Sequence, residues 1–107
     1  MQFSNSLLNL EQRKQLLYLA RESVRFGLEH GHAMSVLLDQ YPEIFHQELA
    51  SFITLKLDGR LRGCIGHLKA SQPLVSDVVE NAWSAASKDS RFSKVNQLEF
   101  PQLTFHI

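Results

Sequence analysis

Apolar residues recur at helical spacing early in the chain. Leu16, Leu17, Ala20, Val24 and Leu28 form one stripe, while Arg13, Lys14, Arg21, Glu22, Arg25 and Glu29 mostly fill the other side. The pattern predicts a helix from Asn9 to His30. Asn9 can cap it, Gln12 three residues on completes a capping box, and Gly31 supplies a C-terminal stop. The stretch from His32 to Ala50 is less periodic. Ser35 to Gln40 fits a short helix or turn, Pro42 interrupts it, and Leu37, Leu38, Ile44 and Phe45 are expected to pack onto the core.

The periodicity then changes to two. Ser51–Leu57 and Leu61–Gly66 predict a β-hairpin around Asp58-Gly59. A two-residue loop would pair Leu55 with Arg62 and Ile53 with Cys64, mixing apolar and polar residues on each face. A three-residue loop, Leu57-Asp58-Gly59, pairs Leu55 with Leu61 and Ile53 with Gly63. It gathers Ile53, Leu55, Leu61 and Ile65 on one face, and Phe52, Thr54, Lys56, Arg60, Arg62 and Cys64 on the other. That register, with a left-handed Gly59 and a bulge, is the expectation. Pro73 to Ser87 predicts a second helix capped by Ser71. Leu74, Val78, Ala82 and Ala86 form one of its rows, with Val75, Val79 and Trp83 beside it as core, and Asp77, Glu80 and Ser84 facing out. A polar turn follows, in which Phe92 is expected to enter the core. Beyond Pro101, Leu103, Phe105 and Ile107 alternate with Thr104 and His106 as in a strand. A chain stopping inside that pattern, at Ile107, is expected to be one partial domain spanning 1–107, with uncovered edges open to self-association.

Composition narrows the classes. With 44% hydrophobic and 21% charged residues over 107 positions, the chain fits a single globular domain rather than a disordered one. Lys+Arg and Asp+Glu number 11 each, so no global field draws nucleic acid or an anionic membrane. The opening MQFSNSLLNL lacks the positive region and long apolar core of a secretory leader, and no apolar run is long enough to span a bilayer. A single cysteine, Cys64, allows no internal disulfide. A cytoplasmic protein is the expectation.

Three segments together resemble one family. Leu61-Arg62-Gly63-Cys64-Ile65-Gly66 reads LRGCIG, the hallmark of the AMMECR family, and is preceded by Phe52-Ile53-Thr54-Leu55-Lys56 and Asp58-Gly59-Arg60. Ala86 with Lys88-Asp89-Ser90-Arg91-Phe92 is similar to the family's A-x-x-D-x-R-F stretch, and Leu98-Glu99-Phe100-Pro101-Gln102-Leu103 to its E-L-P-x-L. The resemblance runs from about Leu10 onward. Two departures stand out: His67 occupies a place where a small hydroxyl residue is common, and Phe100 replaces the leucine before Pro101. The resemblance implies an α+β fold, an antiparallel sheet with packed helices, in a domain longer than this chain. It also implies association with a Memo-type protein and a radical SAM enzyme, in the AmmeMemoRadiSam system. It implies no settled activity.

Cys64 is the sharpest chemical candidate. Gly63 and Gly66 allow close approach of backbone or ligand, and Arg62, two residues away, would favour a thiolate. His67 could serve as base only if the chain bends after Gly66, because alternation sends it to the opposite face. The alternative is a small residue filling a tight strand, which residue chemistry alone favours for want of an oriented base. Arg60, Arg62 and Lys56 form a basic edge that Lys88 and Arg91 could extend into an anion or nucleic-acid site; a solvated strand face explains it as well. Asp89 and Arg91 could orient a ligand or simply fix a turn. His30 and His32 lack further ligands for a metal. There is no Walker A loop, dinucleotide fingerprint or CxxxCxxC triad, so no cofactor is expected. The leading reading is a ligand- or partner-binding component of a multi-component modification system. The alternatives are an enzyme with Cys64 as nucleophile, assisted by Arg62 and His67, and a nucleic-acid-binding accessory protein. The binding candidates are Arg60, Gly63, Gly66, Asp89 and Arg91.

Overall fold

A computed structural model describes residues 8–107. Residues 1–7, most of the opening segment read for a secretory leader, lie outside the described residues. Two helices pack on a three-stranded antiparallel sheet, an α+β arrangement. Helix α1 spans Leu10–His30. The predicted box is formed: Asn9 Oδ1 accepts from the Gln12 amide at 2.8 Å, and Gln12 Oε1 accepts from the Asn9 amide at 2.9 Å. Gly31, at φ 81°, ends it in the left-handed conformation that glycine adopts without a Cβ penalty. Gly27 admits a neighbour for a second reason. A Cβ there would lie 2.2 Å from the Trp83 ring of the second helix, so its absence lets the two helices approach.

The connector carries two short 3-10 turns, Leu38–Gln40 and Glu43–His46. Phe45 is fully buried and Ile44 packs against the core. Leu37 and Leu38 do not follow the expectation and stay exposed.

Strands β1 (Phe52–Leu57) and β2 (Arg60–Gly66) form the hairpin, and β3 (Leu103–His106) pairs with the other side of β1. The order is therefore β2-β1-β3. The register corrects the three-residue loop. Asp58 and Gly59 both have positive φ and make a two-residue turn closed by Leu57 opposite Arg60, the turn whose twist suits the flanking strands. The extra residue is absorbed further in. Lys56 faces Leu61 but Leu55 faces Gly63, so Arg62 is the bulged residue, and Ile53 then faces Ile65. The bulge restores most of the predicted sorting of faces. Ile53 and Leu55 are buried toward the helices, whereas Phe52, Thr54, Lys56 and Cys64 are half-buried on the other side. Leu61 is the exception and is exposed.

Helix α2 spans Leu74–Ser87, with Pro73 rather than Ser71 at its N-cap and no side-chain cap. It lies between α1 and the hairpin, so it is enclosed on more than one side. Leu74, Val75, Val78, Val79, Ala82, Trp83, Ala85 and Ala86 are buried. Asp77, expected to face solvent, is 1% exposed. A helix so enclosed keeps little solvent face, and a polar residue there survives only with partners. At its far end α2 meets β2 closely: a Cβ on Gly63 would stand 2.1 Å from the Ala85 carbonyl oxygen. Among the described residues no helix is long and apolar enough to cross a membrane.

Candidate functional site

Cys64 sits on edge strand β2, on the sheet face away from the helices. Its Sγ lies 3.3 Å from Thr54 Oγ1 on β1, and its backbone amide donates to Asp89 Oδ2 at 3.0 Å. Asp89, just beyond α2, thus satisfies a strand-edge donor with a side chain. The same carboxylate accepts from the Arg91 amide at 3.1 Å, Arg91 Nε at 3.0 Å and Arg91 Nη2 at 2.7 Å. The Arg91 guanidinium holds the Asp89 carboxyl well below the usual carboxylate range. Burial opposes this, and the amides of Cys64 and Arg91 reinforce it. Arg91 is more than half exposed, stacks over the Phe92 ring at 5.4 Å and is linked to the Cys64 amide through the shared Asp89 carboxylate. Phe92, expected in the core, is instead half-buried beneath that guanidinium.

Arg62 is directed elsewhere. Its Nε and Nη2 pair with Glu99 at 2.9 and 3.0 Å, and its Nη1 donates to the Ser93 carbonyl at 2.8 Å. Glu99 is itself fixed by reciprocal bonds with Asn96, and the Arg62 hydrogen bonds lower its pKa. This bidentate, part-buried pair ties the bulge to the loop before β3. Arg60 is exposed at the hairpin tip, where it lines a cleft of about 520 Å³ with Leu57, Asp58, Leu61 and Arg62. Gly66 packs beneath Phe52, with a would-be Cβ 2.4 Å from that ring.

His67 belongs to a second cluster, on the helix side. Its Nδ1 is 2.6 Å from Asp77 Oδ1, which also accepts from Gln72 Nε2 at 3.1 Å. The other oxygen, Oδ2, accepts from the Ser51 amide at 2.8 Å, Ser51 Oγ at 2.7 Å and Asn81 Nδ2 at 3.0 Å. The His67 ring thus meets the carboxylate through Nδ1, with Asn81 Nδ2 also 3.4 Å from that nitrogen. Cys64 bonds Thr54 on one face and His67 bonds α2 on the other. The structure therefore brings Cys64, Asp89 and Arg91 together and leaves His67 and the Arg62 guanidinium out of that group.

Two further polar side chains share the Cys64 face. Thr54 stands opposite Cys64 on one side and His106 on the other, so the three form a row across β2, β1 and β3. Alternation after Pro101 was enough to turn His106 away from the core. The row itself depends on the strand order, which local pattern does not carry. Among the described residues no cluster of three or more His, Cys, Asp or Glu side chains could hold a metal ion.

The sequence of this fold matches a family model, AMMECR1, over residues 17–107. The chain belongs to the AMMECR1 family. It is 34% identical over 101 residues to a protein of Methanococcoides burtonii, covering 94% of this chain and 50% of that protein. It is 33% identical over 100 residues to one of Methanothermobacter thermautotrophicus, covering 94% and 52%. The uncharacterized protein PH0010 of Pyrococcus horikoshii, known from a crystal structure, superposes with a TM-score of 0.83 at 29% identity, over 92% of this chain and 51% of that one. The chain thus spans about half the length of the curated relatives it matches.

Proposed function

We propose that this AMMECR1-family chain is a cytoplasmic ligand- or partner-binding component of a multi-component modification system, acting through the sheet face that carries Cys64. The resemblance drawn from LRGCIG suggests a Memo-type protein and a radical SAM enzyme as the other components. The observation that carries the reading is the immobilised backbone at Cys64. Asp89 clamps its amide, Gly63 is packed on α2, and Thr54 meets the thiol, yet Thr54, Cys64 and Lys56 remain half-buried on the outer face with Arg91 exposed beside them. Rigid backbone under a small, partly accessible polar surface suits recognition. Arg60, Gly63, Gly66, Asp89 and Arg91 are the residues proposed to shape it.

The enzyme reading, with Cys64 as nucleophile, is the second. The Asp89 carboxylate shared by the Cys64 amide and the exposed Arg91 guanidinium supports it, and the hydrogen bond of His67 to Asp77 on the helix side weighs against His67 as its base. Alkylation of Cys64 at neutral pH separates the two. The binding reading expects labelling no faster than that of a free thiol, changed little by Arg91→Ala or Arg62→Ala. Labelling much faster than a free thiol, slowed by Arg91→Ala, would transfer the proposal to catalysis. The nucleic-acid alternative, resting on Arg60, Arg62 and Lys56, loses support from the commitment of Arg62 to Glu99.

A further inference from the structure

Arg62 and Cys64, on either side of Gly63, each reach the segment that follows α2. Arg62 does so with its side chain. Its Nη1 donates to the Ser93 carbonyl at 2.8 Å and its Nη2 to the Lys94 carbonyl at 3.4 Å, beside the bidentate pair with Glu99. Cys64 does so with its backbone, whose amide donates to Asp89 Oδ2 at 3.0 Å. Between them, Gly63 packs against the Ala85 carbonyl in the last turn of α2.

The stretch joining these attachment points is short and bonded within itself. The Phe92 amide donates to the Asp89 carbonyl at 3.1 Å, and the Val95 amide to the Ala86 carbonyl at 2.8 Å, with the Val95 side chain buried. The attachments therefore close a ring that runs from Arg62 to Ser93, back along the turn to Asp89, across to Cys64 and through Gly63 to Arg62. In a closed ring each attachment lowers the chain-entropy cost of the other, because it keeps the groups that must meet close together.

We propose that Arg62 is a positioning residue for the Cys64 face. It acts on the Cys64 backbone rather than on the thiol, by holding residues 89–99 so that Asp89 stays on the Cys64 amide. The inference rests on the reading of that face as the binding surface, and it names the residue that keeps the surface rigid. Geometry carries the role more than charge: a planar guanidinium meets a carboxylate and backbone carbonyls at once, whereas an ammonium is a point charge without that fork.

The test is hydrogen exchange of the full chain, resolved amide by amide by NMR. Arg62→Met should speed exchange at Cys64 about tenfold or more, although Arg62 does not touch that amide, and change the Ser51 amide, held by Asp77, less than about twofold. Arg62→Lys keeps the charge and loses the fork, so it should behave like Arg62→Met. Glu99→Gln, the milder change at similar volume, should accelerate Cys64 by less, and it decides the matter alone if Arg62→Met does not fold. With Asp89→Ala the clamp is already gone, so adding Arg62→Met should leave Cys64 exchange where Asp89→Ala put it. Cys64 exchange unchanged by the Arg62 and Glu99 variants would overturn the proposal while leaving the binding reading in place. Full protection with Arg62→Lys would assign the effect to charge, and equal acceleration at Cys64 and Ser51 would reduce Arg62 to general stability; either overturns it. A Cys64 amide already unprotected in the parent chain would overturn the binding reading as well, since the immobilised backbone is its basis.

Discussion

Two carboxylates flank the hairpin, and they are held in opposite ways. Asp77 is enclosed between α2 and the ends of β1 and β2, where Ser51, Asn81, Gln72 and His67 supply five donors to its two oxygens. Asp89 lies at the strand edge, with one guanidinium and two backbone amides. The first is satisfied mainly by short neutral groups inside the fold. The second leans on a long, exposed cation and on the backbone amides of Cys64 and Arg91. A carboxylate saturated by interior donors fixes architecture; one balanced by a surface arginine leaves a charge available to something outside.

Three substitutions or titrations probe that contrast. The largest effect is expected from Asp77→Ala, which strands the Ser51 amide and hydroxyl donors in the interior while the Asn81 amide keeps the Ser51 carbonyl as acceptor. A loss of about 3 kcal/mol follows from two buried donors left unpaired, read by chemical denaturation. A loss near zero would mean the network is dispensable. Next comes Asp89→Ala, at about 1 kcal/mol for one partly exposed strand amide left without an acceptor. It should also speed hydrogen exchange at Cys64, while Asp77→Ala leaves that amide protected; equal effects at both sites would erase the distinction. The smallest effect is on acid sensitivity. Because the folded-state pKa of Asp89 is depressed, its contribution is present above the ordinary carboxylate range and is lost as pH falls below that range. Stability measured from pH 5 to pH 3 should decline less in Asp89→Asn than in the parent chain. Solvent screening at exposed Arg91 keeps the difference modest.

What was readable in the sequence follows from range. The Asn9–Gln12 box, the Gly31 stop, the Asp58-Gly59 turn and the alternation in β3 are decided by residues within a few positions of each other, and all stand in the structure. The LRGCIG segment likewise led to the family. The burial of Asp77 was not readable, because spacing along α2 does not reveal that the helix is covered by both α1 and the sheet. The Arg62–Glu99 pair depends on a bulge that turns Arg62 out of its strand pattern toward a loop far along the chain. The loop length went wrong for a related reason: parity requires one extra residue, and the pattern does not say whether the turn or the strand accommodates it.

The strand order β2-β1-β3 also sets a sequence of events in time. The β1–β2 hairpin closes over two residues, a microsecond-scale process in isolated hairpins. β3 reaches β1 only after α2 and the following loop have been laid down, so its pairing carries a far larger chain-closure cost. With four residues paired to β1 alone among the described residues, it is also the shortest strand of this sheet. Local opening should therefore begin at β3 and leave the hairpin zipped, making Thr104 to His106 the first amides of the sheet to exchange with solvent.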